Sequence, residues 1–466
     1  MGTDELRSRT DEAASMLLEL AKERSNILLY SHNDADGIAS ASILAKSIER
    51  SGGNFTIRVA PGILHQRLDN VGDYDLVVFC GLGIGIVSAI GSSIHKWTAI
   101  DHHKSNKQDH HDNVINSWSF GVDGSHDVCT SSMAFLIARG MESSNRDLAW
   151  IAVVGALADR QDESKGRILT GINKLVLDDA IEAGSVSVSK DLIMYGRETQ
   201  PIHKAIGTTF SPYIPGLTGN FDACTGLVTT AGINQKDNGR WRTLMDLSEK
   251  EKETLLNAVK PYLSRASTSE GLVDELFGEV YSLVKEYQYS SFTDAREFGT
   301  LLNACGRTGR QGLGIALCIG DRSATASEGV EALSQYQSAL GKYIQVILTE
   351  HGRILERQNV GIIVGDGLVD ENMIGPLATI LSEVERFTKK ILIVRTSTDE
   401  SHMKCSVRKG KGPTADVELG PLVESVVEQT GGSGGGHPAA ASARIPISRA
   451  EEFLSKVVSK INGDTN

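Results

Sequence analysis

Three separated clusters of histidine and aspartate carry the residue types most able to do chemistry in this chain. His32-Asn33-Asp34-Ala35-Asp36-Gly37 spaces one imidazole and two carboxylates two residues apart. Asp101-His102-His103 sets two imidazoles beside a carboxylate, and Val153-Val154-Gly155-Ala156-Leu157-Ala158-Asp159-Arg160-Gln161-Asp162 is an apolar segment that ends in carboxylates. Such a mixture of hard and borderline donors suits manganese or magnesium. Each cluster alone could instead be an acidic helix start, with Asp34 or Asp36 as N-cap. Three separate ends that each deliver His or Asp favour one common centre over three capping coincidences.

The flanking residues say what positions these groups. Asn26-Ile27-Leu28-Leu29-Tyr30 reads as a buried strand, and Ile38 to Ala45 as a helix after the Gly37 turn, so His32, Asp34 and Asp36 lie at the carboxyl end of a strand. Ligands of open α/β sheets bind at that end. If the chain stays extended, alternation turns all three the same way. Phe55–Val59, Asp75–Cys80 and Trp97–Ile100 read as further strands, the last running into Asp101. Strand, helix, strand predicts a parallel sheet, with an amphipathic helix at Asp11–Glu23 and helices at Ser131–Gly140 and Asp147–Asp159. Gly81-Leu82-Gly83-Ile84-Gly85 permits close backbone approach. A second triplet, Asp109-His110-His111, has no strand leading into it and reads as a solvated loop.

From Thr170 to Gln288 the pattern is mostly helical, with capped helices starting at Ser248 and at Ser269, the latter running toward Tyr287. Strand-like runs then return at Leu313–Cys318, Val360–Val364, Lys390–Val394 and Lys404–Arg408, with helices at Gly329–Glu350 and Met373–Phe387. The fold class is therefore α/β, with expected domains at 1–168, 169–290 (a helical connector or insertion) and 291–466. In the last, Thr430-Gly431-Gly432-Ser433-Gly434-Gly435-Gly436-His437 offers backbone amides that can cradle a phosphate, where the plainer reading is a Gly/Ser linker. Lys404, Arg408, Lys409 and Lys411, with Asn303–Arg307 and Arg310, make the dense basic groups. These suit a polyanion or, equally, a solvated loop.

The 466 residues carry a formal net charge of −12, so bulk charge gives no support to non-specific polyanion binding. Six scattered cysteines without a CxxC pair read as buried thiols of a reducing compartment. No signal-peptide pattern or membrane-length apolar run is present, so the expected location is cytoplasmic, with no membrane partner.

Taken together, His32-Asn33-Asp34-Ala35-Asp36-Gly37, Asp101-His102-His103, Asp159 and Gly434-Gly435-Gly436-His437 resemble the DHH phosphoesterase family, and within it the RecJ-like branch that includes the archaeal GINS-associated nucleases. The resemblance implies an N-terminal DHH domain and a C-terminal domain that holds nucleic acid. It implies two Mn ions (Mg possible), one held by His32 and Asp34 and the other by Asp36, His102 and Asp159. His103 would then face the scissile phosphate, Asp101 would orient the histidines, and Arg408 with Gly434, Gly435, Gly436 and His437 would grip phosphates.

This chain departs from the family at two places. Gly81 stands where the family has an aspartate bridging the two metals, which predicts one tight and one weakened site. Ser442 stands where a glycine is usual. The implied function is a metal-dependent exonuclease on single-stranded DNA or RNA, associated with replication and repair. The alternative is a catalytically impaired scaffold of the same fold that binds GINS and the replicative helicase. Retention of the other ligands favours activity, and Gly81 favours its loss.

Overall fold

The computed structural model describes residues 2–60, 71–82, 90, 94, 96–104, 111–164, 166–264, 275–287, 290–412 and 414–463. The chain divides into two units, Met1–Ser189 with Val280–Tyr336, and Lys190–Glu279 with Gln337–Asn466.

In the first unit the strands β1 (Asn26–His32), β2 (Asn54–Ala60), β3 (Leu76–Cys80), β4 (Trp97–Asp101) and β5 (Val114–Asn116) form a parallel sheet in the order β2-β1-β3-β4-β5. β1 lies inside the sheet between β2 and β3, where Ile27, Leu28, Leu29 and Tyr30 are all buried. Alternation sends Leu28 and Tyr30, with Val77, Phe79 and Ala99, into one shared apolar cluster. The helix Ala35–Arg50 follows β1 and is buried through most of its length, which its Ala, Ser and Gly residues permit. Ser40, Ser42 and Ser47 satisfy their hydroxyls by donating to carbonyls four residues back. The helices Thr130–Met141, Ala149–Ala158 and Ala295–Arg307 complete the packing that positions the site.

β6 (Val186–Leu192) precedes the helical part of the second unit, which has its own apolar core from Leu192 to Leu276. It contains the short hairpin β7 (Lys236–Asp237) and β8 (Arg240–Trp241) and the helix Glu249–Ser264. Ser248 and Glu251 close the start of that helix reciprocally, as the capping pattern predicts. β9 (Phe277–Leu283) pairs with β6. β10 (Ile354–Glu356), β11 (Val360–Val364), β12 (Ile391–Ser397), β13 (His402–Lys409), β14 (Ser433–His437) and β15 (Ala440–Pro446) make a mixed sheet in the order β10-β11-β12-β13-β15-β14. The α/β class holds, with a parallel sheet first and a mixed sheet last.

Several expectations change. Leu313–Cys318 is not a strand but part of the helix Gln311–Cys318, which buries Gly314, Leu317 and Cys318 at helical spacing. Residues 291–336, expected to open the last domain, group with the first unit. The helix expected from Ser269 toward Tyr287 begins outside the described residues and gives way to β9, which buries Tyr281 and Leu283 on one face and Val280 on the other. The glycine-rich stretch is an edge strand, not a loop or a linker. Gly83, Gly85, Asp109 and His110 lie outside the described residues. All six cysteines are buried free thiols. Among the described residues no helix is long and apolar enough to cross a membrane.

Candidate metal centre

The turn after β1 is not extended through Asp36, yet it still brings the three side chains to the carboxyl edge of the sheet. Asp34 is the N-cap of Ala35–Arg50, its Oδ1 accepting from Gly37 N at 2.9 Å. Its other oxygen lies 2.5 Å from His32 Nδ1. The N-cap expected at Asp34 or Asp36 is therefore Asp34, whose second oxygen stays beside His32. Asp36 falls in the first helical turn and is buried. Its Oδ1 accepts from Ser131 N (2.9 Å) and its Oδ2 from Thr130 N (3.1 Å), the first amides of the helix Thr130–Met141.

β4 delivers the second cluster. One oxygen of buried Asp101, Oδ1, accepts from His103 Nδ1 (2.7 Å), His102 N (2.9 Å) and His103 N (3.3 Å), while Oδ2 is buried with no partner among the described residues. The two histidine carbonyls are held by residues following β4 in sequence, His102 O by Trp118 Nε1 (2.8 Å) and His103 O by Asn116 Nδ2 (2.9 Å). His102 Nδ1 donates to Gly124 O at 2.8 Å, which leaves Nε2 facing Asp36, 3.8 Å from its Oδ2.

Asp159 ends the helix Ala149–Ala158, with Oδ2 3.7 Å from His102 Nδ1. Gln161 Nε2 donates both to that carboxylate (2.8 Å) and to Gly124 O (3.0 Å). Asn173 in turn donates to Gln161 Oε1 (3.1 Å) and accepts from Ser132 Oγ (2.6 Å). The reading of the sequence assigns no role to Gly124, Gln161, Asn173, Asn116 or Trp118. Only Gln161 carries a local signal, its place two residues after Asp159. Gly124 has no room for a side chain, since a Cβ there would lie 2.0 Å from the His102 carbonyl oxygen. Asp162, by contrast, is fully buried in an ion cluster with Arg296 (2.6 Å) and Arg167 (3.2 Å), a structural role.

Asn303, Gly306 and Arg307 belong to this centre, not to a basic surface group. Asn303 Oδ1 accepts from Ala35 N (2.9 Å), Asn33 Nδ2 donates to Gly306 O (3.3 Å), and Arg307 Nη1 donates to Asn33 Oδ1 (3.3 Å). The electrostatics follow from these neighbours. Burial pushes the Asp34 carboxyl up, but His32 and the Arg307 guanidinium outweigh it and hold it well below the carboxylate range. Burial acts likewise on Asp101, and the charge and hydrogen bond of His103 win there too. His103 is the reciprocal case: burial lowers it, and Asp101, then Asp159 and Asp34, raise it to about 9. Asp159 is pushed up to about 6 by burial, with His102 opposing and Asp36 adding its like charge. Asp36 and Asp159 thus flank the His102 ring, one carboxylate 3.8 Å from Nε2 and the other 3.7 Å from Nδ1.

At the end of β3 stands Gly81, with φ +67°. A Cβ built on it meets nothing closer than Thr130 Oγ1 at 3.4 Å.

Residues 26–156 match the DHH family N-terminal domain, 194–277 the DHH-CID domain and 358–463 the DHHA1 domain. The chain belongs to the DHH family. This DHH protein is 26% identical over 443 residues to an uncharacterized protein of Methanocaldococcus jannaschii, covering 92% of each chain. In fold it resembles RecJ of Thermus thermophilus, solved in complex with Mn2+ (TM-score 0.57, 15% identity, 98% of this chain and 55% of that one). It also resembles CDC45 of Entamoeba histolytica (TM-score 0.64, 14% identity, 97% and 98%). The DHH protein thus spans about half the length of that RecJ.

In the second unit of the DHH protein, Arg408 on β13 spends its guanidinium internally, donating to Thr379 Oγ1 (3.1 Å), Val407 O (2.9 Å) and Ala441 O (3.2 Å). Lys411 pairs with Glu275 (2.7 Å) and Glu383 (3.5 Å). Gly434, Gly435, Gly436 and His437 pair in register with Ala443, Ser442, Ala441 and Ala440 of β15. The helix Leu419–Thr430 lies so close that a Cβ on Gly420 would stand 2.0 Å from Gly436 O. Glycine there serves packing as well as any phosphate contact.

Proposed function

We propose that the protein is a divalent-metal-dependent phosphodiesterase, a nuclease that shortens single-stranded DNA or RNA. The observation that carries the reading is the Asp36, His102, Asp159 cluster, in which Thr130 and Ser131 amides, the Gly124 carbonyl and Gln161 fix every ligand in place before any cation binds. Such preorganisation around chosen ligands marks metal sites more than incidental acidic turns. These three residues would hold one Mn or Mg ion, and His32 with Asp34 a second, weaker one. A divalent ion supplies Lewis-acid polarisation of a phosphodiester. His103, anchored to Asp101 through Nδ1, meets the phosphate through Nε2, while the sheet edge and its buried carboxylates keep the centre rigid. Arg408 and the β14 glycines take the nucleic-acid backbone, and the protein works in the cytoplasm beside the replication machinery.

A second reading, a scaffold for GINS and the replicative helicase with impaired turnover, is favoured by one feature, Gly81 in place of a carboxylate at the end of β3. Nucleotide release from end-labelled single strands with Mn separates the two. Release by the parent that vanishes in His102→Ala supports the nuclease. Absence of release from the parent, with release appearing in Gly81→Asp, supports the scaffold.

A further inference from the structure

The side chain that faces Gly81 is Thr130. It is fully buried, and its Oγ1 has no hydrogen-bond partner among the described residues. Of the Thr130 atoms, that oxygen is the one nearest to where a Cβ on Gly81 would stand, 3.4 Å against 3.8 and 3.9 Å for its carbons. The backbone N–H of the same residue donates to Asp36 Oδ2, the oxygen 3.8 Å from His102 Nε2. Thr130 therefore joins the Gly81 side of the centre to the ligand that the proposed cation would use. An orphaned buried hydroxyl is costly, and valine would fill the same shape without that cost. A hydroxyl left in this position calls for a partner that binds there.

We propose that Thr130 is a positioning residue of the metal centre, its hydroxyl hydrogen-bonding the ligand shell of a divalent cation on the side where this chain has Gly81. The inference rests on the metal reading above and adds a residue to it. A hydroxyl is neutral where a carboxylate would be charged. With Thr130 in that place, the two carboxylates Asp36 and Asp159 match the charge of one divalent ion. The group that would neutralise a second ion on this side is missing, and the hydroxyl, able to donate or accept through a shell water, supplies orientation in its stead.

The test is a manganese titration of the full chain, following the electron-spin resonance of free Mn2+, for the parent, Thr130→Val and Thr130→Ser, with thermal melts of all three in EDTA. The expected result is a Thr130→Val protein that melts in EDTA at or above the parent temperature. It should bind Mn about tenfold more weakly, the loss of one hydrogen bond to a charged shell. Thr130→Ser should stay within about threefold of the parent. Parental affinity in Thr130→Val overturns this proposal and leaves the metal centre standing. A parent that takes up no Mn overturns both. A Thr130→Val protein that fails to fold or melts lower in EDTA, with Thr130→Ser also losing affinity, makes Thr130 a packing residue and overturns the proposal.

Discussion

Two glycines mark opposite limits of what the centre tolerates. Gly81 sits in the left-handed region, which aspartate enters more readily than most residues, and the nearest atom to an added Cβ is at 3.4 Å. Gly81→Asp should therefore fold at a cost of about 1 kcal/mol and convert one tight manganese site into two of comparable affinity. Calorimetric titration reads the stoichiometry, and a single tight site in the variant would mean that the missing carboxylate is not what weakens the second ion. Gly124 is the reverse. Its added Cβ would collide with the His102 carbonyl, so Gly124→Ala should lose about 1–3 kcal/mol in a urea melt and weaken manganese binding by moving His102. Stability and affinity equal to the parent's would show that the loop yields without disturbing the histidine. The metal-type residues could be read from the sequence because their chemistry is written in their identity. Gly124 and Asn173 could not, since a carbonyl and an amide reach His102 and Gln161 only through contacts between residues distant in sequence, and Gln161 gives no more than its place two residues after Asp159.

At the level of elements, the helix Ala295–Arg307 clamps the turn that carries His32, Asp34 and Asp36. Asn303→Ala leaves the Ala35 amide without its acceptor, which should lower stability by about 1–3 kcal/mol and loosen the cation site. Denaturant unfolding together with a Mn titration checks this, and a change in neither would make the contact ornamental. Asp162 is held by two arginines, so Arg296→Met, which removes one of them, should destabilise the first unit by several kcal/mol while Mn affinity in the folded protein stays near the parent value. β1 and the following helix were legible because a short apolar run and small helix-forming residues follow one another, while the turn between them left a cap at Asp34 and an extended run through Asp36 equally open. Leu313–Cys318 was misread because a short, mostly apolar run fits a buried helix as well as a strand. β14 was misread because glycine carries no pattern, and its strand state comes from β15 and from the helix Leu419–Thr430. The grouping of 280–336 with the first unit depends on contacts such as Asn303 to Ala35, which no local pattern announces.

For the whole molecule, the net charge of −12 means that any strand binding must come from local groups. Arg408 is laced to Thr379, Val407 and Ala441, so Arg408→Ala should lower the melting temperature as well as weaken single-strand binding. If the contact to nucleic acid is real, the slope of affinity against salt should flatten by about one charge. A lower melting temperature with an unchanged salt slope would leave Arg408 a structural residue. The central claim is that Asp36, His102 and Asp159 are a metal centre rather than a buried polar network. It is tested most directly by manganese titration and EDTA melts of the parent and Asp159→Asn. In the metal-free protein Asp159 is a desolvated carboxylate that faces the like charge of Asp36, so its neutral amide should leave stability in EDTA unchanged or raised. With the cation, a ligand is lost. The account predicts tight Mn uptake by the parent, a fall of about a hundredfold in Asp159→Asn, and no loss of stability in EDTA. A parent without Mn affinity, or a variant that binds Mn as the parent does, would contradict it.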